Sequence, residues 1–248
     1  MTEQTPPVKE YAVQKASFND YSESYEQALH RGIGVSGENS TFFARGRLEW
    51  LARLAKQRQL TTRAVLDFGC GIGNPLPLLR EILDAAEVAG IDVSGESIAT
   101  ARRRFTQSGF ELATCDHLAA TARFDLAFCN GVFHHIPLAE RAASARLVWQ
   151  HLRPGGHFAF FENNPLNPGT RYVMSRIPFD RDAITLMPHN ARRLLRDAGF
   201  EILLTHYLFF FPKPLAWLRK LEPALARIPL GAQYLVLARK LPAGNPAA

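Results

Sequence analysis

The sequence predicts an α/β fold with a largely parallel sheet. From residue 63 onward, short apolar segments alternate with helical segments of about ten residues or more, which is the rhythm of right-handed β-α-β crossovers. The first of these strands runs directly into a glycine-rich turn. With 248 residues, 47% of them hydrophobic, the chain can build one substantial core. We therefore predict one compact α/β domain with helical additions.

The predicted elements follow from apolar periodicity and from the turn residues between them. Helical patterns at 21–30 and 42–59 indicate a helical N-terminal cap over residues 1–60, ahead of a sheet domain over residues 61–248. Proline-rich stretches at about 163–189 and 212–230 are expected to be insertions into that domain. The predicted strands are 64–68, 87–91, 110–114, 126–130, 157–161, 201–211 and 233–238, and the predicted helices between them are 76–86, 97–108, 140–152 and 190–198.

Composition restricts the environment in which the protein works. Cys70, Cys115 and Cys129 stand singly, without a CxxC pair, so they are predicted to be buried thiols and not a disulfide framework. The longest apolar run is far too short to span a bilayer, and the first twenty residues lack the apolar centre of a signal peptide. We therefore expect a cytoplasmic protein.

The formal net charge of +6 is concentrated in the last third of the chain. Residues 171–240 contain 12 basic and 5 acidic residues, a balance of +7. This surface is either a solvated face or a region that attracts an anionic substrate or a membrane surface.

The strongest chemical signal is a GxGxG turn after the first strand, formed by Gly69, Gly71 and Gly73. Glycines there let the backbone approach a ligand closely, although an ordinary strand-to-helix turn is the simpler alternative. A dinucleotide fingerprint would have its third glycine at position 74, where the chain has Asn74, so NAD is disfavoured. Asp67, just before the turn, could order the loop or meet an ammonium group.

Acidic residues also follow the next two strands. Asp92 ends the second strand, where a carboxylate can accept both hydroxyls of a ribose. Asp116 follows the third strand, where it can accept a hydrogen bond from the exocyclic amine of an adenine. With Asp67, these acids would address the amino acid, the ribose and the base of one ligand in turn.

The segment 65–161 resembles the core of the class I S-adenosylmethionine-dependent methyltransferases in its glycine motif and its downstream acids. The resemblance implies a Rossmann-like, mostly parallel sheet of seven strands, with helices on both faces and an antiparallel last strand. It also implies S-adenosylmethionine as methyl donor and S-adenosylhomocysteine as product. The residues expected to bind this cofactor are Tyr21, Tyr25, Asp67, Gly69, Cys70, Gly71, Gly73, Asp92, Val93, Asp116, His117 and Asn130. Tyr21 and Tyr25 would act as a lid, or alternatively pack in the core.

Candidate catalytic residues follow the fourth and fifth strands. Methyl transfer from a sulfonium needs alignment and exclusion of water, and an oxygen acceptor additionally needs a base. His134 and His135 lie on what we predict to be an extended turn, so that one of them faces the pocket. Glu162 would assist that histidine, as acids do in similar O-methyltransferases, or would cap the following loop. No residues have metal-ligand spacing, so no metal is expected.

We therefore predict O-methylation of a small-molecule or lipid-like acceptor, with N- or C-methylation left open. Basic residues of the first insertion, Arg171 and Arg176 among them, could grip an anionic acceptor, or could simply be surface charges. Residues 207–220 mix aromatic and cationic side chains and suit peripheral contact with a membrane or a lipid-linked acceptor. A nucleic-acid methyltransferase is disfavoured because the expected Asn/Asp-Pro-Pro-aromatic motif is absent, and a non-catalytic cofactor-binding protein is a further alternative. The sequence does not predict an oligomeric state.

Overall fold

A computed structural model describes residues 34–118, 123–177 and 183–241 of the chain. Its strands are β1 (Ala64–Phe68), β2 (Glu87–Asp92), β3 (Glu111–Thr114), β4 (Phe124–Asn130), β5 (Leu152–Asn163), β6 (Phe200–Leu208) and β7 (Gln233–Lys240). They form one sheet in the order β3-β2-β1-β4-β5-β7-β6. The α/β class and the seven-stranded sheet predicted from the sequence are confirmed.

Seven α-helices occur in the described residues. They are α1 (Ser40–Arg58), α2 (Leu76–Leu83), α3 (Gly95–Arg104), α4 (Leu138–His151), α5 (Pro168–Arg176), α6 (Pro188–Asp197) and α7 (Glu222–Leu225), and a 3-10 segment spans Lys213–Leu221. No helix in these ranges is long and apolar enough to cross a membrane. The helix predicted over 21–30 lies outside the described residues.

Strand pairing creates a crevice at one edge of the sheet. Strands β1 to β5 pair with one another in parallel, and β7 is antiparallel to both β5 and β6. Because β2 and β3 extend from one side of β1 while β4 and β5 extend from the other, the strand order reverses at β1 and β4. Ligands bind at the carboxyl ends of the strands beside such a reversal.

Alternate strand residues build a separate core on each face of the sheet. Val65 belongs to a cluster with residues of α1, α2 and α3, whereas the next residue, Leu66, belongs to a cluster with residues of α4 and α6. This alternation follows from the two-residue period of side chains along a strand. Both faces are therefore covered by helices, as parallel sheets require.

Helix α1 shares its core with the sheet. It begins after Asn39, whose side chain accepts a hydrogen bond from the Phe42 backbone N–H at 2.8 Å, as N-cap residues do. Leu48 and Leu51 are fully buried and pack in the same cluster as Val65. The predicted boundary at residue 60 stays a prediction, but α1 packs as part of the sheet domain.

Two of the differences between the predicted elements and the structure have a backbone explanation. Strand β6 was predicted to reach Phe211 but ends at Leu208, because Phe209 has a φ of +62° that no strand accommodates. The stretch predicted as an inserted loop contains helix α5, which Asn167 caps by accepting a hydrogen bond from the Thr170 N–H at 2.9 Å. Pro168 occupies the first helical position, where proline is favoured.

Candidate active site

A cavity of about 950 Å³ opens at the carboxyl edge of the sheet. It is lined by the residues that end or follow five successive strands: Phe68, Asp92, Cys115, Asn130 and Asn163. A cavity of this volume is large enough for a nucleoside-sized ligand and a second small molecule. The strand ends that the sequence predicted to carry the chemistry therefore meet in one place.

The glycine turn forms part of the cavity wall and requires glycine for two different reasons. A side chain at Gly69 would collide with Val132, because a Cβ there would lie 2.4 Å from the Val132 Cγ2 atom. A Cβ at Gly71 would meet no atom within 4 Å and would extend into open space, and φ there is +54°. Gly71 thus keeps the backbone accessible to a ligand, while Gly73 packs against Phe105 and does not line the cavity.

Asp67 is buried in the cavity wall with an unsatisfied oxygen. Its exposed fraction is 2%, and its Oδ2 atom has no hydrogen-bond partner in the described part of the chain. Burial, and to a lesser extent the charge of Asp92, raises the pKa of the Asp67 carboxyl well above its usual value. Asn130 also lines the cavity with an unpartnered Oδ1 atom. Both oxygens can accept hydrogen bonds from a bound donor.

Asp92 connects the end of β2 to the glycine turn. Its Oδ2 atom accepts a hydrogen bond from the Gly71 N–H at 2.9 Å, and its Oδ1 atom accepts one from the Ser94 N–H at 2.8 Å. Burial raises the pKa of Asp92, although hydrogen bonds from Ser94 and Gly71 oppose this shift. Each oxygen retains a lone pair for a ligand hydroxyl. Val93, the next residue, also lines the cavity.

The two residues predicted to flank an adenine lie outside the cavity wall. Asp116 and His117 are largely exposed and contact each other at 3.2 Å, whereas their neighbour Cys115 does line the cavity. A hydrogen bond from the Thr114 hydroxyl is the largest cause that lowers the pKa of Asp116. The structure therefore groups Asp67, Asp92 and Cys115, and leaves Asp116 and His117 at the surface.

The cysteines follow the prediction in most respects. Cys70 and Cys129 are buried, Cys115 is partly exposed, and none of the three forms a disulfide. Cys70 and Cys115 line the cavity. Burial raises the pKa of Cys115 to about 12, so this thiol stays protonated at neutral pH.

His134, in the turn after β4, and Glu162, near the end of β5, form a buried pair. The His134 Nδ1 atom lies 2.5 Å from Glu162 Oε2, and Glu162 Oε1 accepts a hydrogen bond from the Phe133 N–H at 2.7 Å. Glu162 is 1% exposed and does not line the cavity, whereas His134 does. Because Nδ1 faces the carboxylate, the Nε2 atom is at the far edge of the ring.

The prediction that one of the two histidines faces the pocket, because they lie on an extended turn, is wrong in its geometry. Residues 133–135 form a turn and not an extended segment, so the His134 and His135 rings lie side by side, with centroids 4.0 Å apart. Both histidines line the cavity. They differ in burial, since His134 is buried and His135 is partly exposed.

Arg141 supports the histidine turn and was not singled out from the sequence. Its Nε donates to the Ile136 carbonyl at 2.9 Å and its Nη2 donates to the Ile184 carbonyl at 2.7 Å. Arg141 lies near the start of α4, shortly after the histidine turn that it supports. An arginine on a helix ordinarily faces solvent. Only its burial, which the sequence does not reveal, identifies this role.

An aromatic wall faces the rest of the cavity. Phe43 and Phe209 pack edge to face with centroids 4.9 Å apart, and Phe42 lies beside them. Arg219 stacks on Phe42, pairs with Glu38 at 2.9 Å, and also lines the cavity. The predicted anion-gripping residues Arg171 and Arg176 do not line it; the arginines that do are Arg47, Arg104 and Arg219.

These features suit S-adenosylmethionine. The open space above Gly71 admits a ligand against the backbone, and the free Oδ2 of Asp67 can accept from an ammonium group. No group of three or more histidine, cysteine, aspartate or glutamate side chains in the described ranges is placed to hold a metal ion. Tyr21 and Tyr25, predicted as a lid, lie outside those ranges.

Comparison with known proteins identifies the family. A family model described as "Methyltransferase domain" matches residues 65–156. The chain is 30% identical over 200 residues to a ubiquinone biosynthesis O-methyltransferase of Azoarcus sp. (strain BH72), covering 73% of this chain and 80% of that enzyme. It is 32% identical over 127 residues to a trans-aconitate 2-methyltransferase of Rhodopseudomonas palustris (strain BisB5), covering 51% of this chain.

The trans-aconitate match spans only 49% of that relative's length. Among solved structures, an S-adenosylmethionine-dependent methyltransferase from Mesorhizobium loti has the same fold, with a TM-score of 0.54 and 24% identity over 78% of this chain and 98% of that one. The fold, the glycine turn and the sequence relatives all indicate the same family. The chain belongs to the class I S-adenosylmethionine-dependent methyltransferases.

Proposed function

We propose that the protein transfers the methyl group of S-adenosylmethionine to a hydroxyl oxygen of a small, partly apolar organic acceptor. The observation that carries this proposal is the buried contact of 2.5 Å between His134 and Glu162 in the cavity wall. A histidine whose Nδ1 atom contacts a carboxylate can use its Nε2 atom as a general base. The bound cofactor supplies an electrophilic methyl group on a sulfonium.

The cofactor half of the cavity is formed by the glycine turn and the acids of β1 and β2. We assign the ammonium group of the cofactor to Asp67, because its Oδ2 atom is buried and unpartnered. We assign the ribose hydroxyls to Asp92, which also fixes Gly71. Asp116 and His117 remain the candidates for the adenine because they follow Cys115, which lines the cavity.

His134 acts on the acceptor. Its Nε2 atom takes the proton of the acceptor hydroxyl as that oxygen forms a bond to the methyl carbon and the bond from carbon to sulfur breaks. The resulting imidazolium is stabilised by the negative charge of Glu162. Glu162 therefore serves as a positioning residue, since it contacts His134 and does not line the cavity.

The presence of this pair favours a hydroxyl acceptor over a carboxylate. A carboxylate is already ionised at neutral pH and needs no base, whereas a phenol or alcohol must lose a proton during the transfer. The aromatic wall of Phe42, Phe43 and Phe209 further favours an acceptor with apolar surface, because each buried methylene contributes about 0.8 kcal/mol.

A panel of acceptors tests this proposal. Transfer of labelled methyl groups would be measured for a catechol with an alkyl tail, the same catechol without the tail, trans-aconitate and a primary amine. We expect the highest kcat/KM for the tailed catechol. Turnover confined to trans-aconitate or to the amine would contradict the hydroxyl assignment, and no turnover on any acceptor despite tight cofactor binding would favour a non-catalytic protein.

Replacing Asp67 with asparagine should weaken S-adenosylmethionine binding and make the ligand-free protein less sensitive to pH. Loss of a charge-assisted hydrogen bond corresponds to roughly 10- to 100-fold in affinity. A carboxyl with a raised pKa stabilises the folded state below its unfolded pKa, and this stabilisation is lost as pH rises through the raised value. As pH rises from 4, the melting temperature should therefore fall less in the variant than in the wild type.

Calorimetry and thermal unfolding of wild type and Asp67→Asn, each across the same pH series, provide the measurement. Wild-type affinity for the cofactor should rise with pH as Asp67 loses its proton. Equal affinity of both proteins at all pH values would show that Asp67 does not meet the ammonium group.

A further inference from the structure

Exposed apolar side chains are concentrated on the two insertions. Ten large hydrophobic residues are exposed within the described ranges, and eight of them fall in 163–189 or 212–230. These eight are Leu166, Tyr172, Ile184, Leu215, Trp217, Leu221, Ile228 and Leu230. The concentration distinguishes this surface from the scattered apolar residues that any protein exposes.

The second insertion presents these side chains without packing them. No residue of the 3-10 segment Lys213–Leu221 is buried, and Trp217 is 67% exposed. We name the five residues Leu215, Trp217, Leu221, Ile228 and Leu230 the insertion patch. No contact within the described part of the chain explains a tryptophan exposed to this extent.

The insertion patch lies beside the mouth of the cavity. Asn167 at the start of α5 donates to the Leu230 carbonyl at 2.7 Å, which joins the two insertions. Tyr172 of α5 is exposed and lines the cavity, and Pro212, just before the 3-10 segment, lines it as well. A surface that covered the patch would therefore border the acceptor entrance.

The charge of this region indicates the sign of the charge that a binding partner must carry. Residues 213–230 contain four basic residues and one acidic residue. Lys213, Lys220 and Arg227 are exposed, whereas Arg219 is paired with Glu38. The exposed cations alternate along the segment with the exposed apolar residues, so a complementary surface must be both apolar and anionic.

We propose that the insertion patch binds the surface of an anionic lipid bilayer. Tryptophan favours the interface between headgroups and acyl chains, and lysine side chains extend from an apolar surface toward lipid phosphates. A second copy of the chain fits less well, because a two-fold interface would bring the same lysines against one another. Docking in this orientation would place the cavity mouth next to the membrane, where an amphipathic acceptor resides.

Vesicle binding requires neither cofactor nor acceptor, so this inference goes beyond the proposed methyl transfer and can fail independently of it. The experiment is flotation of the full chain with vesicles of phosphatidylcholine alone, or of phosphatidylcholine mixed with phosphatidylglycerol. We expect binding to the mixed vesicles only, weakened by salt. Trp217→Ala and Lys220→Glu should each reduce the partition coefficient roughly tenfold or more.

Matched controls separate the patch from general surface properties. Leu241→Ala removes an exposed apolar side chain outside both insertions, and Lys56→Glu reverses an exposed lysine on α1. Both controls should bind vesicles as the wild type does, and all variants should retain the wild-type melting temperature because the changed residues are exposed.

The fluorescence of Trp217 gives a second readout on the unmodified protein. Its emission should shift to shorter wavelength on mixed vesicles and be quenched by brominated lipid, and Trp217→Phe should remove this component while retaining binding. Absence of vesicle binding, or binding unaffected by Trp217→Ala and Lys220→Glu, would overturn the proposal. Self-association that depends on Trp217, in place of vesicle binding, would overturn it in favour of a second copy.

Discussion

Replacing His134 with alanine should lower kcat by roughly 10²- to 10⁴-fold, the usual contribution of a general base. Affinity for S-adenosylmethionine should be largely retained, because we assign the ammonium and ribose groups of the cofactor to Asp67 and Asp92, and His134 to the acceptor. The measurement is steady-state turnover on a hydroxyl acceptor, combined with calorimetric titration of the cofactor into the same preparation.

His135→Ala is the matched control, since the two rings lie side by side and both line the cavity. It should retain most turnover, because the contact of 2.5 Å with Glu162 is made by His134. Glu162→Gln should reduce kcat, because glutamine does not stabilise the imidazolium. The loss should be smaller than in His134→Ala, because glutamine keeps the shape of the side chain and the base itself is still present. Full activity in both histidine variants would remove histidine from the mechanism.

Replacing Asp92 with alanine should abolish most of the affinity for S-adenosylmethionine. Two hydrogen bonds from ribose hydroxyls to a charged acceptor correspond to about 3–6 kcal/mol, or roughly 10²- to 10⁴-fold in the dissociation constant. The change also leaves the Gly71 and Ser94 N–H groups without their acceptor, which loosens the turn that the cofactor contacts.

Asp92→Asn separates the two contributions. It retains the shape of the side chain and one oxygen, which can still accept from the Gly71 N–H and keep the glycine turn ordered. The Ser94 N–H loses its acceptor, and the charged interaction with ribose is lost. We expect calorimetry to give an affinity between those of the wild type and Asp92→Ala. Wild-type affinity in both variants would contradict the ribose assignment.

The sequence predicted the sheet well because strand and helix periodicities differ clearly. Apolar runs such as 64–68 and 87–91 are bounded by turn residues, and the structure has strands at these positions. The end of β6 was not predictable, because no local turn residue marks Phe209, which has a φ of +62° and packs against Phe43 and Gly46. Helix α5 was missed because its proline was interpreted as a loop residue and not as a first helical residue.

The part of the site formed by strand ends was predictable for the same reason. Parallel strands bring their carboxyl ends to one edge, so Asp67, Asp92 and Asn130 were expected to meet, and they do. Glu162 was expected either to assist one of the two histidines or to cap the following loop, and its carboxylate contacts His134.

Side-chain environments were less predictable. The exposure of Asp116, the stacked histidine rings and the burial of Arg141 depend on how a turn folds and on which helix covers it. Residues far apart in the chain decide these features, as when Glu38 pairs with Arg219. Local patterns carry no information about such pairs.

Calorimetric titration of the purified protein with S-adenosylmethionine, S-adenosylhomocysteine and NAD, run in parallel, tests the central claim most directly. The geometry of the glycine turn and of Asp67 predicts roughly micromolar binding of the first two ligands and none of NAD. Binding of NAD without binding of either methyl-transfer ligand would contradict the assignment of this cavity.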